Sequence, residues 1–246
     1  MSGHSKWSTI KHKKGAADAK RGRLFTKLIK EITMSAKVGG GAVDSNPRLR
    51  SAVLAAKRAS MPSDNIDKAI KRGTGELEGV TYEEVVYEGY GPGGAAILIE
   101  AMTDNKNRTT SEIRHLLTKY GGNMAAAGAV AFQFSKKGYV AIEKSAAQED
   151  ALMELALESG AEDFKTEDAD VFEIYTDPAS FDAVKTAVEA RNIAIQTAEI
   201  QMVPQNTIDV ADKAPALLKL LDMVEDNDDV QKVWSNGDID EKYLTE

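Results

Sequence analysis

Cysteine is absent from the 246 residues, which excludes disulfides, thiolate nucleophiles and cysteine-ligated zinc or iron–sulfur centres, and fits a reducing compartment. Histidine occurs only as His4, His12 and His115, without the spacing of a zinc hydrolase. Neither a G-x-S-x-G nucleophile elbow nor a G-x-x-x-x-G-K-[ST] phosphate loop occurs. No apolar run approaches the roughly 20 residues of a membrane-spanning helix. The opening Met1-Ser2-Gly3-His4-Ser5-Lys6 is polar and basic with no apolar stretch behind it, so no cleaved secretory signal is expected. These absences argue against an enzyme, a metal site, a cofactor, a small-molecule substrate and a membrane partner. The cytoplasm is the expected location.

What is present describes a globular protein. Hydrophobic residues make up 42% of the chain and charged residues 28%, and the mean hydropathy is -0.35. This length exceeds one ordinary core, so two or three domains are expected. The formal net charge of -8 hides an asymmetry. Residues 1–75 carry 17 Lys and Arg against 5 Asp and Glu, whereas the remaining residues carry 14 against 34. A basic head on an acidic body steers the head toward a polyanion and keeps the body away from the same surface.

The head reads as helices. From Ala16 to Val38, Leu24, Phe25, Leu28, Ile29 and Ile32 share one helical face, and Lys20, Arg23, Lys27 and Lys30 form a stripe opposite it. Gly39-Gly40-Gly41 ends this helix. Asn46-Pro47 is an N-cap followed by proline at the first helical position, Met61-Pro62 stops the second helix, and Ser63-Asp64 opens a third that closes at Gly73. Glycines and acids around 74–82 then mark a domain boundary.

Beyond it, Val85–Tyr90 and Ala95–Met102 read as strands, Thr109–Tyr120 as a helix opened by a Thr109-Thr110-Ser111-Glu112 capping box, and Ala131–Ser135 as another strand. Residues 138–203 give strand, helix, strand, strand, helix, strand, the ferredoxin-like order. The tail adds a strand near Thr207–Val210, a helix over Pro215–Val224 and a strand or turn at Val230–Trp234. By pattern alone the tail either stands apart or completes the sheet begun at Val85.

Lys6, Lys11, Lys13, Lys14, Lys20, Arg21, Arg23, Lys27 and Lys30 face a single acid, Asp18, in the first 30 residues, and Arg48 and Arg50 continue the basic surface onto the next helix. This density exceeds that of a solvated helix face and points to nucleic acid, with Trp7 either stacking on a base or anchoring the arm. Arg21 falls on the apolar side, where it marks a frayed helix start or reaches past the core. No base-reading pattern is evident, so contacts to phosphates are expected. Lys106 and Arg108, in Asp104-Asn105-Lys106-Asn107-Arg108 at a helix start, are further candidates for a phosphate or an acidic partner. Gly89-Tyr90-Gly91-Pro92-Gly93-Gly94 spells G-x-G-x-x-G, but a strand follows it and Pro92 lacks an amide donor, so a hairpin turn is expected. Glu225, Asp226, Asp228 and Asp229 lack the glycine and twelfth-position glutamate of a calcium loop and read as a solvated turn.

Met1-Ser2-Gly3-His4-Ser5-Lys6-Trp7, Ala19-Lys20-Arg21-Gly22 through Phe25-Thr26-Lys27, Gly39-Gly40-Gly41, Asn46-Pro47-Arg48-Leu49-Arg50, the 87–94 segment and Asp104–Arg108 together resemble the YebC/PmpR family, over nearly the whole chain. Met124-Ala125-Ala126-Ala127-Gly128-Ala129 departs from the glycine- and serine-richer family pattern. The resemblance implies an α+β protein of three domains: a three-helix domain over 1–78, an α/β domain over 79–135 and 205–246, and a ferredoxin-like α/β domain inserted at 136–204. It also implies a cytoplasmic DNA-binding transcriptional regulator. Similarity to the mitochondrial translational activator of cytochrome c oxidase implies instead a factor on ribosomal RNA at the ribosome that assists synthesis of proline-rich stretches. A protein-interaction scaffold working through the acidic body is the third reading.

Overall fold

A computed structural model describes residues 18–243. In chain order its main elements are α1 (Asp18–Gly39), α2 (Pro47–Arg58), α3 (Ser63–Gly73), β1 (Glu83–Tyr90), β2 (Ala96–Thr103), α4 (Lys106–Lys119), β3 (Asn123–Met124) and β4 (Phe134–Glu143). There follow α5 (Glu149–Glu158), β5 (Ala161–Lys165), β6 (Val171–Thr176), α6 (Phe181–Ala190), β7 (Thr197–Pro204), β8 (Ile208–Asp209), α7 (Ala214–Glu225), β9 (Val230–Ser235) and β10 (Gly237–Asp238). The architecture is α+β, with a three-helix domain and two α/β domains, one inserted in the other. The described chain divides into two compact units, 18–130 with 210–235, and 131–209 with 236–243.

The helical domain closes around Ile32, Ala36, Leu49, Val53, Ile66 and Ala69, with Phe25, Leu28 and Ile29 of the expected α1 face packed against them, whereas Leu24 of that face is exposed. Asn46 joins two helix ends. Its Oδ1 accepts from the backbone N–H of Leu49 at 3.1 Å, capping α2, while its Nδ2 donates to the carbonyls of Ser35 and Gly40 at 2.8 Å each. Asn46 is buried, so Asn46→Ala removes the cap and takes a buried donor from the Ser35 carbonyl. The expected result is a loss of about 2 kcal/mol in denaturant unfolding, with an unchanged fold by circular dichroism.

The first α/β sheet has the order β3-β1-β2-β9 and is antiparallel throughout. Ile97, Ile99, Ile113, Leu117, Leu217 and Leu220 are fully buried in this domain, and α4 packs against both β1 and α7. The β1–β2 connection is the expected glycine-rich turn: Gly93 and Gly94 take φ of 78°, a region that L side chains rarely enter, and a strand follows. The β9 strand therefore completes the sheet begun at residue 83. The two-residue β8 instead pairs in parallel with β10.

The inserted domain has the order β5-β6-β4-β7, antiparallel, which is the ferredoxin-like arrangement. Val140, Ile142, Phe172 and Ile174 pack with Leu152, Ala156, Val184 and Val188 of α5 and α6. Ala131–Ser135 and the first strand expected in the 138–203 series are not separate; after a short 3-10 turn at Ala131–Gln133 a single strand runs from Phe134 to Glu143. Gly138 imitates a break in the pattern, yet it sits in the ladder because a Cβ there would lie 2.2 Å from Thr176 Oγ1 and 2.7 Å from Phe181.

The fourth helix starts earlier than the expected Thr109. The helix begins at Lys106, capped by Asn105 Oδ1, which accepts from the Arg108 N–H at 3.1 Å. With Asn105 as cap, Thr109 falls in the first turn on the buried side, and its hydroxyl lies 2.6 Å from Asp229 Oδ2 and 3.2 Å from the Asn105 carbonyl.

Candidate nucleic-acid interface

The spacing of Lys20, Arg23, Lys27 and Lys30 places them along one edge of α1. Lys6, Trp7, Lys11, Lys13 and Lys14 lie outside the described residues, as does the side chain of Lys20. Arg21 is exposed. The other three stripe cations meet the turn between α7 and β9. The Arg23 guanidinium is 3.7 Å from the Asp226 carboxylate, Lys27 Nζ donates to the Glu225 carbonyl at 2.6 Å, and Lys30 Nζ donates to the Asp228 carbonyl at 2.9 Å.

Lys30 departs from the solvent-facing stripe. It is buried, and its ammonium also donates to Asp229 Oδ1 at 2.5 Å and to the Met102 carbonyl at 3.3 Å. Asp229 is equally buried, so the acidic turn is not wholly solvated as expected. Its Oδ2 accepts from Thr109 Oγ1 at 2.6 Å, Arg108 Nη2 at 2.7 Å and Thr103 Oγ1 at 3.2 Å. Its backbone is fixed as well, since its carbonyl accepts from the Met102 N–H at 2.8 Å and its N–H donates to Asn227 Oδ1 at 2.9 Å. One carboxylate thus joins α1, the end of β2, the first turn of α4 and the start of β9.

Burial alone would raise the Asp229 carboxyl, but hydrogen bonds from Arg108, Lys30 and Thr109 outweigh it and hold the group at about 2. The bond that Arg108 donates to Asp229, with a second donated to Asp104 at 2.8 Å, raises the Arg108 guanidinium. Tyr82 borders this seam with its ring centroid 5.5 Å from Lys30 Nζ, and burial followed by the negative charge of Asp104 raises its hydroxyl. Between the head and the turn lies an open cleft of about 650 Å³, walled by Arg23, Thr26, Tyr82, Arg108, Asp226 and Asp228.

The remaining candidates are dispersed. Arg48 donates from Nε and Nη2 to the Glu31 carboxylate at 2.7 and 3.1 Å and from Nη2 to Glu84 at 2.5 Å, linking α2 to α1 and β1. The Glu31 hydrogen bond is the main cause of its raised pKa, with Glu84 adding to it. Arg50 is exposed and donates to the Asp44 carbonyl at 3.3 Å. Lys106 is exposed at the start of α4. The structure therefore brings Arg23, Lys27, Lys30 and Arg108 together around residues 225–229, and leaves Arg21, Arg50 and Lys106 facing solvent.

Sequence reasoning missed Asp229, Thr103 and Thr109 as members of this cluster. Asp229 lies 199 residues from Lys30, and nothing local distinguishes it from the exposed Asp228. His115 is exposed on α4, and among the described residues no group of acids and histidines is arranged to hold a metal ion. No described helix is long and apolar enough to cross a membrane.

Comparison with known proteins agrees with this architecture. Residues 5–76 match the family model of the TACO1/YebC protein N-terminal domain, and residues 82–237 match that of the TACO1/YebC second and third domain. The chain is 60% identical over 245 residues to a protein of Desulforapulum autotrophicum named "Probable transcriptional regulatory protein", covering 99% of each. It is 59% identical to a like-named protein of Koribacter versatilis, covering 99% of this chain and 98% of the relative. A crystal structure of a conserved hypothetical protein from Aquifex aeolicus superposes with a TM-score of 0.85 at 46% identity, over 96% of this chain and 98% of that one.

Proposed function

The chain belongs to the TACO1/YebC family, and from that premise we propose that it is a non-enzymatic, cytoplasmic, nucleic-acid-binding regulator of gene expression, acting in transcription on duplex DNA. The observation that carries this reading is the concentration of cations in the head, 17 against 5 acids over residues 1–75, on a body with the opposite balance. Arg21, Arg50 and Lys106 supply exposed cations, and the sequence carries five more lysines between residues 6 and 20. Phosphate contacts of this kind give affinity and orientation without reading sequence. The names of the close relatives support a role in transcription. In this reading the head spans 1–78, the body 79–135 with 205–246, and the inserted domain 136–204. The two α/β domains supply shape and protein contacts.

The second reading is a translation factor on ribosomal RNA that assists synthesis of proline-rich stretches. It is favoured by the same cations, since lysine and arginine without a base-reading element suit ribosomal RNA phosphates equally. Sedimentation of cell lysate through a sucrose gradient, with and without ribonuclease, separates the two. Free protein that protects one promoter segment supports transcription. Ribonuclease-sensitive migration with ribosomal particles supports translation. Failure to associate with any nucleic acid overturns both.

A further inference from the structure

We propose that the acidic turn between α7 and β9 is an intramolecular competitor for nucleic acid, holding the Arg23 and Lys27 end of the α1 stripe until phosphates displace it. The inference rests on the reading of the head as a polyanion surface and adds its regulation. Residues 23, 27 and 30 follow one edge of α1, and the turn runs against that edge with an acceptor for each. Asp226 stands at Arg23, the Glu225 carbonyl at Lys27, and Asp229 with the Asp228 carbonyl at Lys30. All are hydrogen-bond acceptors, and a phosphodiester backbone would offer anionic oxygens to the same side chains.

The contacts grade in exposure along the helix. The Lys30 and Asp229 side chains are only 7% and 6% exposed, and their pair is locked by three further donors to Asp229. Arg23 and Asp226 are 37% and 46% exposed, in water that competes with their attraction. The inner pair is a fixed pivot, and the outer contacts are exchangeable. Asp228 is exposed on the wall of the same cleft, so an approaching phosphate meets repulsion there until the turn swings away. A ligand must therefore present enough phosphates to replace the outer contacts and to outweigh this charge. A lone anion does neither, whereas a duplex or a folded RNA does.

The test compares the full-length wild type with Asp226→Asn and Asp226→Asn/Asp228→Asn, using a short duplex DNA and a ribosomal RNA fragment as probes. Glu158→Gln, which removes one exposed acid from α5 in the inserted domain, reports the effect of net charge alone. Asp226→Asn is expected to tighten binding about 2- to 5-fold beyond the Glu158→Gln control, the range of an exposed ion pair, and the double variant more. In an Arg23→Gln background the advantage of Asp226→Asn should vanish, because its partner is gone. Equal affinities of Asp226→Asn and the control, or a gain that persists undiminished without Arg23, would overturn the competitor while leaving the head's role intact. If no form of the protein, the double variant included, binds either probe in a salt-dependent way, the reading of the head fails and the competitor with it.

Discussion

Replacing Asp229 by alanine is expected to destabilise the unit that contains the head by about 3–5 kcal/mol, the cost of leaving one member of a buried ion pair uncompensated. The substitution strands the Lys30 ammonium beside two carbonyls and removes the acceptor of Thr109, Arg108 and Thr103. Lys30→Met should cost less, because Asp229 keeps Arg108 and Thr109 and the methionine fills the space of the lysine stem. Denaturant unfolding measures both. Because the chain has two compact units, the transition should be followed by Trp234, which lies in the head-containing unit. A change within about 0.5 kcal/mol for Asp229→Ala would contradict the hub.

The same carboxylate makes the stability pH-dependent in a defined window. Its folded pKa of about 2 lies below the ordinary value of 3.8, so its contribution is fully present above that ordinary value. As acid is added, the contribution is lost as pH falls through 3.8 toward 2. The shift corresponds to about 2 kcal/mol. Wild type should therefore lose this increment between about pH 5 and pH 2, and the Asp229→Ala variant should lack that component.

The second large effect concerns binding. A variant with Arg21, Arg23, Lys27 and Arg50 changed to glutamine should bind duplex DNA or ribosomal RNA on the order of 10³-fold more weakly at 0.1 M salt. This follows if each lost phosphate contact removes roughly one released counterion. Its log-affinity against log-salt slope should be shallower by about four. Stability should fall by no more than about 2 kcal/mol, because Arg21 and Arg50 are exposed, the Arg23 pair is half-exposed and Lys27 gives up its hydrogen bond to the Glu225 carbonyl. If the acidic body alone carried the function, as a protein scaffold would, this variant would keep full activity in cells.

Much of the fold was legible because it rests on local chemistry. The α1 face, the Asn46-Pro47 start of α2 and the strand–helix series from 138 to 203 all follow from side-chain period and capping, which depend on neighbours in sequence. The failures have local causes too. Gly138 resembles a break because a missing side chain reads the same in a turn and beneath a crowding Phe181. Thr109-Thr110-Ser111-Glu112 satisfies the capping-box pattern, yet Asn105 lies one turn earlier and takes the role.

The candidate site was legible in its cations and illegible in its anions. Charge density identified the stripe, but an amphipathic helix can bury a lysine wherever a distant carboxylate reaches it, and Asp229 does so for Lys30. Such long-range pairing leaves no periodic trace. It divides the stripe into a buried pivot and an exchangeable outer part, a distinction that the spacing of Lys20, Arg23, Lys27 and Lys30 does not carry.

The central claim is that the head grips phosphates, and the salt dependence of wild-type affinity tests it most directly. With about 6 to 10 phosphate contacts, affinity for a short duplex DNA or a ribosomal RNA fragment should fall by roughly 10³ to 10⁵ between 50 and 200 mM salt. An affinity that stays flat across that range would contradict the account.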